Sequence, residues 1–302
     1  MPREDLPRIG VVGVGKMGAP MARRLLAAGY RVLAYDVRPE AVAEVGGHGA
    51  TSCESLAAVA SGADVIITIL PDPPAVERAV FGERGLGGAM RAGQVFIEMT
   101  SSHPSTTRRV ADHFTSRGVR VLDAPVSGGV RGAVEGTLCI MVGGPAEVLD
   151  RCRPILECLG RDIVHVGDAP GDGDTAKTIN NLLSATTTWS VAEALALGVR
   201  AGLSPERLFA AVNHSTGRSH TTETKIPRYI LPRQFTSGFT VGQYLKDLNI
   251  CLDLAGELRV PMVLSATLRQ IWGVAVAEGM ADLDHTALVQ LAERWARLDR
   301  DP

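Results

Sequence analysis

Long uninterrupted apolar runs are missing from this sequence: no segment reaches the roughly 18 such residues that a membrane helix needs. No membrane partner is therefore expected. An excess of charge is missing as well. With 31 basic and 33 acidic residues, the formal net charge is −2 and the pI is near 6.4. That balance offers no electrostatic case for nucleic acid or an anionic surface as partner. Basic residues cluster no further than the pairs Arg23-Arg24 and Arg108-Arg109, both inside helical patterns. The five cysteines, Cys53, Cys139, Cys152, Cys158 and Cys251, form no C-x-x-C and no zinc spacing, so no metal centre is expected. Their scatter suits reduced thiols in a cytoplasm. The opening "MPREDLPRIGVVGVGKMG" lacks the layout of a signal peptide, because acids interrupt it and glycines and a lysine break its apolar stretch. A cytoplasmic location is the expectation. Internal repeats and low-complexity tracts are absent too.

What is present fits an ordinary globular enzyme of more than one domain: 302 residues, 45% hydrophobic and 21% charged. Up to residue 168, short apolar runs alternate with amphipathic stretches. Strands are predicted at Arg8–Val12, Arg31–Tyr35, Asp64–Leu70, Gln94–Glu98, Val119–Leu122, Leu138–Val142 and Ile163–Val166. Helices are predicted at Met17–Ala28, Ser55–Ala60, Ser105–Arg117 and Pro145–Leu159. This alternation predicts an α/β fold with a doubly wound, mostly parallel sheet. Such a sheet is buried on both faces, which explains the apolar run "DVIITIL". After Gly173 helical periodicity takes over. One long helix is predicted over Thr175–Arg200, a restart at Ser204-Pro205, and further helices near Gly242–Glu257, Val263–Glu278 and Thr286–Leu298. "NHSTGRSHTTETKIPRYILPRQFTSG" is dense in turn residues and reads as a connector. The expected organisation is a nucleotide-binding domain over 1–168 and an all-helical domain over 169–302, joined by the long helix.

Three motifs carry chemistry. "RIGVVGVGKMGAPMARRLLAAGY" holds G-x-G-x-x-G as Gly13, Gly15 and Gly18, with Lys16 and Met17 inside it. It follows a strand, opens a helix and is answered by Asp36 at the end of the next strand. That context, rather than the glycines alone, predicts dinucleotide binding. Asp36 is suited to the ribose hydroxyls and repels a 2′-phosphate, which favours NAD. Arg38 could pair with that phosphate, so NADP stays open. The second motif, "DAPVSGGVRGAVEGTL", follows the strand ending at Leu122. There Ser127, Gly128 and Gly129 offer a hydroxyl and two unshielded N–H groups, either a carboxylate cradle or a simple turn. The third is "GDGDTAKTINN". It places Lys177 early in the long helix with Asn180 and Asn181 at i+3 and i+4. Lys177 is the only basic residue between Thr175 and Val199, on a helix apolar enough to be buried. Burial and the positive helix end both lower a lysine pKa towards a range useful for proton transfer. Asp174 either pairs with the ammonium or only favours the helix start. His214, Arg218 and Phe239 are candidates for substrate selection, each with a plain structural alternative. Arg131 either edges the glycine loop or faces solvent.

Together these motifs resemble the β-hydroxyacid dehydrogenase family, which includes 3-hydroxyisobutyrate dehydrogenase and tartronate semialdehyde reductase. The resemblance runs through "LPDPPAVE" and "EMTSSHP" to "YLKDLNICLDLA", nearly the whole chain. It implies a Rossmann-type domain followed by a 6-phosphogluconate-dehydrogenase-like helical domain, and a hydride transfer between NAD or NADP and a small 3-hydroxy acid. It further implies Lys177 as acid/base, Asn181 and Asn180 orienting the substrate, and Ser127, Gly128 and Gly129 binding its carboxylate. By the same resemblance Leu70, Pro71, Thr100, Ser101 and Lys246 meet the cofactor, and the enzyme is a homodimer or homotetramer. Two departures stand out. Glu98 occupies the place of the family's usual aspartate, and the pair following it reads Thr100-Ser101. The rivals are a 6-phosphogluconate-type enzyme, an imine reductase and a non-catalytic NAD-binding protein. The retained lysine speaks against the last two.

Overall fold

The computed structural model describes residues 5–298, and the chain divides after Lys177 into two compact units. The first holds nine strands: β1 (Ile9–Val12), β2 (Val32–Tyr35), β3 (Thr51–Ser52), β4 (Val65–Thr68), β5 (Val95–Glu98), β6 (Arg120–Asp123), β7 (Val126–Ser127), β8 (Leu138–Gly143) and β9 (Gly160–Gly167). β3, β2, β1, β4, β5 and β6 lie side by side in that order, all parallel. β8 then runs antiparallel to β6 and β7 and parallel to β9. This is the predicted doubly wound sheet, and its order reverses at β1, where such sheets bind ligands beyond the strand ends.

The apolar strands follow from burial on both faces. Val65 and Ile67 of β4 join one core with Ile9, Val95 and Ile97, while Ile66 between them joins another with Val12, Phe96 and Phe114. Successive side chains point to opposite faces, so both sets must be apolar. β3 and β7, two residues each, are too short to leave a period and were not predicted. Helices Pro39–Gly46, Pro73–Phe81, Leu86–Ala89 and Gly129–Glu135 were likewise unpredicted. In the second of these, Asp72 caps the start by accepting from Ala75 N.

The second unit is helical. The helix Asp172–Arg200, 29 residues long, spans about 43 Å at 1.5 Å per residue. It is the one helix among the described residues long and apolar enough to cross a membrane, and 44% of its most apolar window is buried inside the protein. Further helices are Pro205–Asn213, Val241–Glu257, Val263–Ala275 and Val289–Trp295. Ser204 caps the first by accepting from Arg207 N, and Thr240 and Gln243 form a capping box on the second. Trp189, Leu248, Leu268, Trp272 and Leu288 lie in their shared core.

Three expectations are corrected here. The connector contains a π-helix, Thr221–Ile230, with Pro227 inside it. A proline supplies no N–H and crowds the preceding turn, and a wider turn accommodates it. The helix expected over Val263–Glu278 ends at Ala275 and widens to π geometry, with Gly279 at φ +83°. The last helix opens with a 3-10 turn at His285–Leu288, which Asp284 caps through Thr286 N.

Candidate active site

The parallel register aligns the carboxyl ends of five strands. Tyr35, Val12, Thr68, Glu98 and Asp123 are consecutive neighbours across the sheet. Whatever follows each strand therefore emerges on one edge. Gly13, Asp36, Leu70 and Thr100 all follow within two residues of those ends.

At the first glycine motif, Gly13 has φ +92°, and a Cβ on Gly18 would run into the carbonyl oxygen of Gly13. Gly15 is different. A Cβ there would meet only the far end of the flexible Arg38 side chain, at 3.3 Å, and no backbone. The helix Gly18–Ala27 begins with no capping side chain and no acid in its first turn. Such a start leaves N–H donors and a positive dipole end for an anion. Asp36 is anchored: Oδ2 accepts from Val14 N at 3.0 Å, and Oδ1 accepts from Arg38 N at 3.0 Å and Arg38 Nε at 3.3 Å. Lys16 is exposed and Met17 half-buried. The donors, the glycine clear of other backbone and the placed carboxylate fit a dinucleotide.

Leu70 and Thr100 join the loops after β4 and β5, because Leu70 N donates to Thr100 Oγ1 at 2.9 Å. Thr100 is buried, its hydroxyl oxygen accepting that bond, while Ser101 and Pro71 are more accessible. Thr100 N donates to Glu98 Oε1 at 2.7 Å. The other oxygen of Glu98 is buried without a hydrogen bond. Burial lifts its carboxyl to about 7, against the hydrogen bonds from Thr100 that hold it down.

Glu98 belongs to a buried group of acids. Asp123, at the end of β6, accepts from Gly171 N at 2.8 Å and from Asp174 N at 2.7 Å, and so caps the start of the Lys177 helix. Asp174 in turn accepts from Ser102 N at 3.1 Å and from Thr107 Oγ1 at 2.6 Å. Burial raises Asp123 to about 6. Burial first, and then the charge of Asp123, push Asp174 well above the carboxylate range. Asp174 thus ties the loop after β5 to the helix turn preceding Lys177. Sequence reasoning missed Asp123 altogether; the only signal was its place at the end of a predicted strand.

Lys177 is buried, 8% exposed. Ser127 is half-buried, and Gly128 (φ +128°) and Gly129 (φ +63°) form the exposed turn after it. Ser127 pairs across strands with Cys139. Burial raises the Cys139 thiol, helped by Asp162, and the charge of Lys177 opposes that rise. The lysine therefore acts on the immediate neighbour of Ser127.

In the second unit, Asn181 is buried and donates from Nδ2 to Asp247 Oδ2 at 2.6 Å, while Asn180 Nδ2 donates to Asn181 Oδ1 at 3.1 Å. Asp247 also pairs with Lys246 at 3.1 Å. The sequence pointed to Lys246 but not to Asp247, the acid that fixes both Asn181 and Lys246. An acid on the buried face of an amphipathic helix was the available signal. Phe239 packs edge-on to Tyr244 with centroids 4.7 Å apart, an aromatic of the core. His214 and Arg218 are exposed, and Arg131 pairs with Glu135 one turn along its helix. No group of three or more potential metal ligands occurs among the described residues.

Residues 8–167 match the family described as the NAD binding domain of 6-phosphogluconate dehydrogenase, and residues 171–292 the family described as NAD-binding of NADP-dependent 3-hydroxyisobutyrate dehydrogenase. The chain is 40% identical to 2-(hydroxymethyl)glutarate dehydrogenase of Eubacterium barkeri over 95% of each chain. It is 38% identical to 2-hydroxy-3-oxopropionate reductase of Escherichia coli (strain K12), over 96% of this chain and 98% of that one. The structure of Mycobacterium tuberculosis 3-hydroxyisobutyrate dehydrogenase with L-serine is similar at a TM-score of 0.89 and 33% identity, covering 95% of this chain and 99% of that one. Imine reductases share the fold at 17% identity, which carries no more than the fold. None of the rival readings is favoured by these likenesses. With a dinucleotide cradle at the sheet edge and relatives of this kind along nearly its full length, the chain belongs to the β-hydroxyacid dehydrogenase family, nicotinamide-dependent oxidoreductases acting on the CH–OH group of hydroxy acids.

Proposed function

We propose that the chain interconverts a small 3-hydroxy acid and its carbonyl form, with Lys177 as the proton carrier. The observation that carries this reading is a buried lysine on a helix start capped by Asp123, whose charge reaches Cys139, the cross-strand neighbour of Ser127. The nicotinamide cofactor supplies the acceptor and donor of hydride. In oxidation, Lys177 Nζ takes the hydroxyl proton; in reduction, the ammonium returns it and stabilises the developing alkoxide charge. Ser127 Oγ and the N–H groups of Gly128 and Gly129 hold the substrate carboxylate. Asn181, held by Asp247, keeps the substrate hydroxyl in line with the lysine, and Asn180 steadies Asn181. Two relatives are named for substrates whose hydroxyl lies on the carbon β to a carboxylate, which supports a 3-hydroxy acid.

NAD is the preferred cofactor in this reading. The anchored carboxylate of Asp36 meets the ribose hydroxyls, and the Arg38 guanidinium, more than half exposed, leaves some use of NADP. Lys16, Met17, Leu70, Pro71, Thr100 and Ser101 line the cofactor, and Lys246 serves it as the resemblance implies. The protein acts in the cytoplasm as a homodimer or homotetramer. Exposed Leu183, Leu197, Val263 and Leu264 in the second unit supply apolar surface for assembly.

The test is cofactor reduction with a panel of 2- and 3-hydroxy acids, using wild type and Lys177→Ala. Turnover of 3-hydroxy acids that collapses in the variant supports the reading. Cofactor binding without turnover of any hydroxy acid, or turnover indifferent to the substitution, overturns it.

A further inference from the structure

Lys225 lies in the middle of the π-helix Thr221–Ile230 and is 6% exposed. Its Nζ lies 3.1 Å from Ser184 Oγ, 3.4 Å from Thr188 Oγ1 and 3.5 Å from Tyr244 Oη. The ammonium also sits 5.6 Å from the centre of the Tyr244 ring. All of these are hydroxyls or π-faces. No carboxylate comes within ion-pair distance of it among the described residues. The acid whose charge it feels, Asp284, is already engaged by Ser237 Oγ, Gly238 N, and Thr286 N and Oγ1.

A buried cation ordinarily carries its own counter-ion, because neutral dipoles repay only part of the lost hydration. Burial lowers Lys225 to about 8, which leaves it largely protonated at neutral pH. Asp284 is the acid whose charge reaches it, and no carboxylate among the described residues pairs with it directly. Burial lowers both His220 and His285, and the Lys225 charge lowers them further. Two of its three contacts are longer than an ordinary N–H···O bond, so these donors can turn to a better acceptor.

The position of the cage points the same way. Ser184 and Thr188 stand at i+3 and i+7 from Asn181, and at i+7 and i+11 from Lys177. These spacings repeat on one face of a helix. Ser184 is about 10 Å further along the axis than Lys177, by the rise of an α-helix. π-helical turns are rare and gather at functional sites.

We propose that Lys225 is a specificity-determining residue that receives a second carboxylate at the far end of the substrate, so that the preferred substrates are hydroxy diacids. This rests on the reading of the Lys177–Asn181 face as the substrate face. Lys225 takes no part in the proton transfer. It fixes the second carboxylate of the substrate, with Ser184, Thr188 and Tyr244 keeping the ammonium in place.

The experiment compares kcat/KM for 3-hydroxyglutarate and 3-hydroxybutyrate in wild type, Lys225→Met and Lys225→Arg, with glutarate binding to the full-length wild type and Lys225→Met followed by calorimetry. Wild type is expected to favour the diacid at least tenfold. Lys225→Met should lower the diacid-to-monoacid ratio at least tenfold and weaken glutarate binding to match, while Lys225→Arg keeps most of the preference. Wild type without a preference for the diacid overturns the proposal. So does a Lys225→Met variant that loses both substrates equally, the signature of a merely structural fastener. If the protein turns over no hydroxy acid, the parent reading fails, and glutarate binding that depends on Lys225 still decides this one.

Discussion

The two units bury charge in opposite ways. In the first, Glu98, Asp123 and Asp174 crowd at the sheet edge, and the strain of like charges is relieved by protons: burial raises all three carboxyls. In the second, Lys225 is surrounded by hydroxyls and a tyrosine ring, with His285 beside that ring held neutral, its pKa lowered to about 4. The acids serve rigidity, since their oxygens tie a loop and a helix start to a strand end. The lysine is tied loosely. Dense, short hydrogen bonds mark a group that holds the fold, whereas long bonds around a cation with no direct ion pair mark a group that is held less firmly.

The sharpest test of the contrast lies at Lys177. Lys177→Ala should lower kcat by about 10²- to 10⁴-fold, the usual worth of a placed acid/base, while fluorescence titration shows cofactor affinity nearly unchanged. A comparable loss of affinity would make the lysine part of the scaffold. Asp174→Ala comes next. It strips partners from Ser102 N and Thr107 Oγ1, and a cost of about 1–3 kcal/mol in urea unfolding is expected. Asp174→Asn keeps an acceptor for Ser102 N and should cost far less; equal losses in the two variants would count against the tie.

Smaller, and opposite in sign in the two units, is the response to pH. A carboxyl with a raised folded pKa binds more protons when folded, so its stabilising effect is full below the unfolded value and fades as pH rises through the folded one. For Glu98 that window runs from 4.5 to about 7. His285 is lowered, so its contribution is complete above 6.5 and is lost as pH falls towards about 4. Raising the pH from 5 to 7 should therefore loosen the amides of β5 and β6 and tighten those of Val289–Trp295, as read by hydrogen exchange corrected for intrinsic rates. Movement in one direction throughout would refute the contrast. The smallest effect belongs to Arg131→Ala. Its exposed pair with Glu135 contributes no more than about 0.5 kcal/mol, so Tm should barely move. A large rise in KM would instead assign Arg131 to the glycine turn.

The sheet was legible because its physics is periodic and local. Residues buried on both faces write unbroken apolar runs, and the glycine motif announces the first turn. β3 and β7 left no trace, being two residues each and held by pairing partners distant in sequence. In the helical unit the π-helix was read as a connector because Thr221, Thr222 and Pro227 are turn formers, and tertiary packing overrode that preference. Among the candidate residues, Lys177 stood out as a lone cation on an apolar helix. Asp123, Asp247 and Lys225 did not, since their importance lies in partners 51, 66 and 41 residues away.

The contact between Gly18 and the carbonyl of Gly13 has an evolutionary side. That closeness is demanded by helix and strand whether or not any nucleotide is bound, whereas at Gly15 only the flexible end of Arg38 would have to give, and no backbone. A descendant that abandoned its coenzyme would be free to replace residue 15 at once, yet would still be obliged to keep residue 18. Among diverging copies of this gene, the middle glycine is the one whose loss would signal a change of trade.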